Sequence, residues 1–262
     1  MKKIIFILFI FVFISFSAIS TNASYVPSSF EEEIKAYISY DPKKLNLYYQ
    51  AYLESSNIIL ALNTINYPNF FDTSKKHIAF KINNQYFVNK TFYLKENFVP
   101  ENLVPVTKNK ITRKNEIMLL DKVALLNFEM FINDYFSQNN NLLIFSAYRS
   151  FHTQKKNYSS SLDKTYVAKA GHSEHQTGMA IDISTKYYGL TNHFEYSSEF
   201  EIIKNNIYKY GFILRYPSDK VEITGYPYEP WHFRYVGRDI AKIIYLNNLT
   251  LEEYVFQYVE IT

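Results

Sequence analysis

A chain of 262 residues with 47% apolar content can bury the core of one generous domain or two small ones. Its formal charge of +3 comes from interspersed acidic and basic residues without a Lys/Arg cluster, so a nucleic-acid partner has no electrostatic footing. The absence of cysteine excludes disulfides, thiol catalysis and a thioether lipid anchor. An aromatic share of 18%, mostly Tyr and Phe, reads as composition bias and not as a sugar-stacking surface.

Lys2 and Lys3 precede an apolar run from Ile4 to Ile19, and Thr21-Asn22-Ala23 offers small residues for cleavage before Ser24. This is the layout of a secretory signal over residues 1–23, with a retained single-pass anchor as the alternative. The chain is therefore expected to be exported, and core packing or a metal must hold it together. Residues 24 to about 33 read as a polar linker, the start of an N-terminal linker and helical segment over 24–77. Dense apolar positions from Leu45 to Leu62, broken at Ser55-Ser56-Asn57, predict one or two helices, with a stop at Asn63 to Pro68. Two apolar runs flanking Asn83-Asn84 predict a hairpin, because Asn tolerates the left-handed conformations of tight turns.

Asn115 to Phe136 carries apolar residues at three- and four-residue spacing and predicts a long helix, broken by Asn139, Asn140 and Asn141. Leu142–Phe145 and Met179–Ile183 read as strands, and Phe200 to Tyr210 as a helix closed by Gly211. Phe212–Leu214 reads as a further strand, and Thr250 with Glu253 as the capping box of a last helix. Helices and strands alternate without a Gly-rich nucleotide loop. The class is α+β, with residues 78–262 as the main domain.

Two strings carry chemistry: Gly171-His-Ser-Glu-His175-Gln-Thr-Gly178-Met-Ala-Ile-Asp182, and Glu229-Pro-Trp-His232. Catalytic zinc takes three N/O protein ligands and keeps a fourth position open. His175, Asp182 and His232 meet that requirement, and Glu229 is placed to take and return a water proton. On a straight strand His175 and Asp182 would face opposite ways, so Gly178 is expected to bend the chain between them. His172 would close the open position as a fourth ligand and is read as rim or supporting residue. His152 and His193 are expected to be exposed, and His77 has no evident partner. The competing reading of the three ligands is a buried hydrogen-bonded cluster.

Four strings together resemble the VanY-type D-alanyl-D-alanine carboxypeptidases of the LAS zinc-peptidase superfamily. They are Ser-Ala-Tyr-Arg-Ser with Gln154, the His175–Asp182 string, Tyr-Gly-Phe-Ile-Leu-Arg-Tyr-Pro, and Thr-Gly-Tyr-Pro-Tyr-Glu-Pro-Trp-His-Phe-Arg-Tyr-Val-Gly, in order over about residues 78–237. The resemblance implies a small antiparallel sheet whose strands carry a Zn2+ site, flanked by helices. It implies His175, Asp182 and His232 as zinc ligands, with Glu229 acting as base and then acid on a zinc-bound water. It also implies Arg149 as the group that binds the acyl side and steadies the oxyanion, and Gln154, Ser173 and Tyr216 as substrate contacts. The substrate implied is the D-Ala-D-Ala end of a peptidoglycan stem peptide, at the outer face of a bacterial cell; the chain is separately expected to act as a monomer. Ala170 and Ile202 depart from residues common in that family, Pro and Trp, without touching the ligands. Three alternatives remain open: L,D-carboxypeptidase action on tetrapeptide stems, a non-catalytic wall-binding module, and a structural zinc site.

Overall fold

A computed structural model describes residues 25–37, 39–66, 76–107, 117–136 and 140–259. The signal or anchor expected over 1–23 lies outside these residues, as does the expected break at Asn139. Among the described residues no helix is long and apolar enough to cross a membrane.

Three helices open the fold: α1 (Ser28–Ile34), α2 (Leu45–Ser55) and α3 (Ile58–Asn66). The first corrects the linker reading of 24–33, since Phe30 and Ile34, one turn apart, bury themselves against Tyr48, Ile58 and Leu62. The break predicted at Ser55-Ser56-Asn57 is real. Ser56 turns left-handed at φ 51°, and Asn57 Oδ1 accepts from Leu60 N at 3.0 Å to start α3. The helix then runs to Asn66, past the stop expected from Asn63.

Short strands follow: β1 (His77–Ile78), β2 (Lys81–Ile82), β3 (Gln85–Tyr86) and β4 (Phe92–Tyr93). The expected hairpin forms between β2 and β3, with Asn83 and Asn84 both at positive φ, 46° and 64°. Next come β5 (Leu103–Pro105) and β6 (Leu119–Asp121), which pair with each other, and α4 (Lys122–Tyr135). The helix expected from Asn115 therefore starts later. Leu119 and Leu120 are strand residues, and Asp121 Oδ1 accepts from Val123 N at 2.8 Å, ending the strand and capping α4 together.

The remaining elements are β7 (Leu142–Ser146), α5 (Phe151–Ser160), β8 (Ala180–Thr185), α6 (Ser198–Asn206), β9 (Phe212–Leu214), α7 (Val221–Thr224), β10 (His232–Tyr235), α8 (Arg238–Leu246) and α9 (Leu251–Tyr258). One antiparallel sheet in the order β7-β8-β10-β9 forms the centre. Ile181 and Ile183 of β8, Phe212 of β9 and Phe233 of β10 pack with Ala124, Phe128 and Phe131 of α4 and Ile203 of α6. Strand residues alternate faces, so Asp182 and His232, which stand directly opposite each other in register, share the other face. A second apolar layer joins α8 and α9 to Ile213, Phe87 and Phe92, and Ile59 of α3 belongs to it.

Candidate active site

Asp182 and His232 are brought together by sheet register alone. His175 arrives differently. It lies on a one-turn 3-10 helix, Glu174–Thr177, and not on a strand, which corrects the expectation that strands carry all three residues. Gly178 closes that turn at φ 71°, and a Cβ there would meet Leu103 Cδ2 at 2.8 Å. Glycine takes this left-handed conformation without strain, so the bend expected between His175 and Asp182 is present.

His175 Nε2 lies 3.1 Å from Asp182 Oδ2, and His232 Nδ1 lies 2.9 Å from Asp182 Oδ1. One ligand atom from each of the three residues falls within 4.8 Å of the others, and all three residues are buried. The outward-facing nitrogens are already engaged. His175 Nδ1 is 2.7 Å from the Ala147 carbonyl, just past an irregularity at the end of β7, and His232 Nε2 is 3.3 Å from Glu174 Oε2. Each imidazole thus has one nitrogen held from behind and the other turned toward Asp182. Two imidazole nitrogens and a carboxylate, aimed inward and held from behind, fit the donor set of a zinc ion.

Glu229 Oε2 stands 4.0 Å from His232 Nδ1, and the Glu229 backbone is tied to Tyr216 and to His232. Burial pushes the Glu229 carboxyl up to about 8, with Asp182 and Glu174 adding to the rise and His232 and Arg149 opposing it. Burial would also lower His232, but its hydrogen bonds to Asp182 and Glu174 outweigh that and raise it to about 9. Burial holds His175 below its ordinary value, with Asp182 opposing. Asp182 shows the reverse balance: burial favours its neutral form, and His175 and His232 nevertheless hold it well below the usual carboxylate range.

Arg149, Gln154, Ser173 and Tyr216 line the same cleft of about 180 Å3 as Glu229 and the three ligand candidates. The Arg149 backbone N–H donates to the His175 carbonyl at 3.1 Å, and its charge acts on both His175 and Glu229. Gln154 Nε2 donates to the Ala168 carbonyl at 2.6 Å, while its buried Oε1 has no partner among the described residues. Tyr216 stacks on the His232 ring at 4.9 Å. Burial, with Glu174 close by, pushes its phenol well above the ordinary value, so it remains neutral. His172 is separate from the ligand set; its Nδ1 is 2.8 Å from the Asn89 carbonyl. His152, His193 and His77 are exposed.

Sequence reasoning passed over Glu174, Arg215 and Arg234, which lie in the very strings it singled out. All three are buried behind the site. Burial would raise the Glu174 carboxyl, and Arg215, Arg234 and His232 instead hold it well below the usual range. For Arg215 the available signal was a charge directly after the apolar run Phe212–Leu214, which demands a partner once buried.

Comparison with known proteins places these features in context. The VanY family, described as D-alanyl-D-alanine carboxypeptidase, matches residues 117–238. YodJ of Bacillus subtilis (strain 168) is 39% identical over 177 residues, 64% of this chain and 65% of its own length. The chain thus spans slightly under two thirds of that relative. The structure of the LdcB LD-carboxypeptidase is 34% identical with a TM-score of 0.61, covering 71% of this chain and 95% of that one. A vancomycin-resistance D,D-pentapeptidase VanY variant in complex with Zn(II) is 29% identical with a TM-score of 0.52, covering 64% of this chain and 97% of that one.

Proposed function

We propose, for a chain that belongs to the VanY-type carboxypeptidases of the LAS zinc-peptidase superfamily, that it is an exported zinc-dependent D,D-carboxypeptidase of peptidoglycan stem peptides. The observation that supports this most is the convergence of His175, Asp182 and His232 with Glu229 at 4.0 Å from the second imidazole, in one cleft with Arg149. Zinc, when bound by these three residues, supplies a Lewis acid that polarises the scissile carbonyl and makes water acidic enough to attack near neutrality.

The chain's own groups do the rest. Glu229 takes a proton from the attacking water as the new C–O bond forms, then delivers it to the amine as the C–N bond breaks and D-alanine leaves. Burial moves the Glu229 carboxyl upward toward neutrality, the direction that suits a group that both accepts and returns a proton. The Arg149 guanidinium stays charged at every working pH and steadies the oxygen that becomes negative. Gln154 Oε1, without a partner among the described residues, is an acceptor for a substrate amide N–H. Tyr216 and Ser173 complete the wall that positions the penultimate residue.

Full-length protein loaded with zinc, incubated with L-Ala-D-Glu-L-Lys-D-Ala-D-Ala and separately with the tetrapeptide, tests this by mass spectrometry. Loss of one alanine from the pentapeptide, with Glu229→Ala slower by about 10²–10⁴-fold, is the expected result. Cleavage of the tetrapeptide alone would replace the D,D assignment with an L,D one. Muropeptide binding without hydrolysis would favour a wall-binding module. Export is checked by N-terminal sequencing of the mature protein, which should begin at Ser24.

A further inference from the structure

Behind His232 lies a set of buried charges that the proposed chemistry does not use. Glu174 accepts from His232 Nε2 at 3.3 Å through one oxygen. Its other oxygen accepts from Arg215 Nε at 2.8 Å and lies 3.3 Å from Arg234 Nη1. The far end of the Arg215 guanidinium is held bidentately by Glu252, at 2.7 and 2.6 Å. The side chains of Glu174, Arg215 and Glu252 are fully buried. Two carboxylates and two guanidiniums balance in charge. Glu252 comes from α9, outside the 117–238 segment that matches the family.

We propose that Glu174 is a positioning residue for the metal site, fixing His232 so that Nδ1 faces Asp182 and His175, and that Arg215, braced by Glu252 of α9, holds Glu174 in that pose. The proposal rests on the zinc reading of that site. A buried ion set of this kind adds little net stability compared with apolar packing, so its geometric service is what accounts for it. Each link has one defined task. The carboxylate oxygen dictates which imidazole nitrogen carries the proton, and the planar fork of Arg215 sets the carboxylate's tilt. The bidentate pair with Glu252 then fixes the fork.

The test is zinc affinity of the full-length protein by chelator competition, together with the visible spectrum of the Co2+-loaded form. Glu174→Gln should bind zinc about 10- to 100-fold more weakly, with an altered cobalt spectrum. Glu252→Gln, which touches no ligand, should shift affinity in the same direction by less. Glu253→Gln is the control. That residue caps the same helix and pairs with Lys220 at 3.0 Å, so its loss should lower Tm without changing zinc affinity. Histidine 15N spectra of the zinc-loaded wild type need no variant and guard against misfolding of Glu174→Gln; they should show the His232 proton on Nε2. A proton on Nδ1 instead, or folded Glu174→Gln and Glu252→Gln that bind zinc as the wild type does, would overturn the proposal. Wild type that takes up no zinc would overturn the metal reading itself, a different and distinguishable result.

Discussion

The region around His232 and the N-terminal helices are held by opposite means. Beside His232 the chain buries Glu174, Arg215, Arg234 and Glu252, so that local order depends on charges matched at hydrogen-bond distance. Around Tyr48 the helices α1–α3 are joined by rings and aliphatic chains, with Phe30 against Tyr49 at 5.1 Å and against Tyr52 at 4.9 Å. Apolar packing tolerates small shifts, whereas a buried ion set has one acceptable arrangement. The difference assigns the two regions different jobs: geometry in the first, and adhesion in the second.

The sharpest way to break this contrast is Arg215→Met. Removing the guanidinium leaves Glu174 and Glu252 buried without their shared partner, and should cost about 3–5 kcal/mol in urea denaturation at pH 7. Unchanged stability would mean that the charges are incidental. Leu62→Ala probes the other region, where a cavity under α3 should cost about 2–5 kcal/mol while leaving zinc affinity unchanged. A fall in affinity there would join the two regions into one functional unit.

A smaller effect sharpens the comparison through pH. The folded value of about 9 for His232 in the metal-free protein lies above its unfolded value of 6.5. Its contribution to metal-free stability is therefore fully present below pH 6.5 and is lost as pH rises through about 9. A metal ligand must be deprotonated, so zinc binding at pH 7 should release close to one proton, and apparent affinity should rise about tenfold per pH unit. Calorimetry in two buffers of different ionisation enthalpy reads that proton directly. No release would contradict the role given to His232.

Several elements were legible because they obey local rules. The Asn83-Asn84 hairpin, the break at Ser56 and Asn57, and the reciprocal capping box of Thr250 and Glu253 each follow from residues a few positions apart. The α1 helix escaped notice because only Phe30 and Ile34 mark its buried side amid polar neighbours. The strand β6 escaped because Leu119 and Leu120 run directly into the helical spacing of α4. At the site, the four strings supplied every residue singled out for chemistry, and all of them line one cleft. The charges that support them were not legible as partners, since Arg215 meets Glu174 and Glu252 across 41 and 37 residues and only the sheet and α9 make those meetings.

Isotope-labelled water tests hydrolysis by this site most directly. Zinc-loaded protein and its Glu229→Ala variant would be incubated with L-Ala-D-Glu-L-Lys-D-Ala-D-Ala in H2(18)O, and the products weighed. Free D-alanine without label and a tetrapeptide carrying one 18O in its new carboxylate are expected from the wild type and nearly absent with the variant. Intact pentapeptide after prolonged incubation with zinc-bound wild type, or equal turnover by Glu229→Ala, would contradict it.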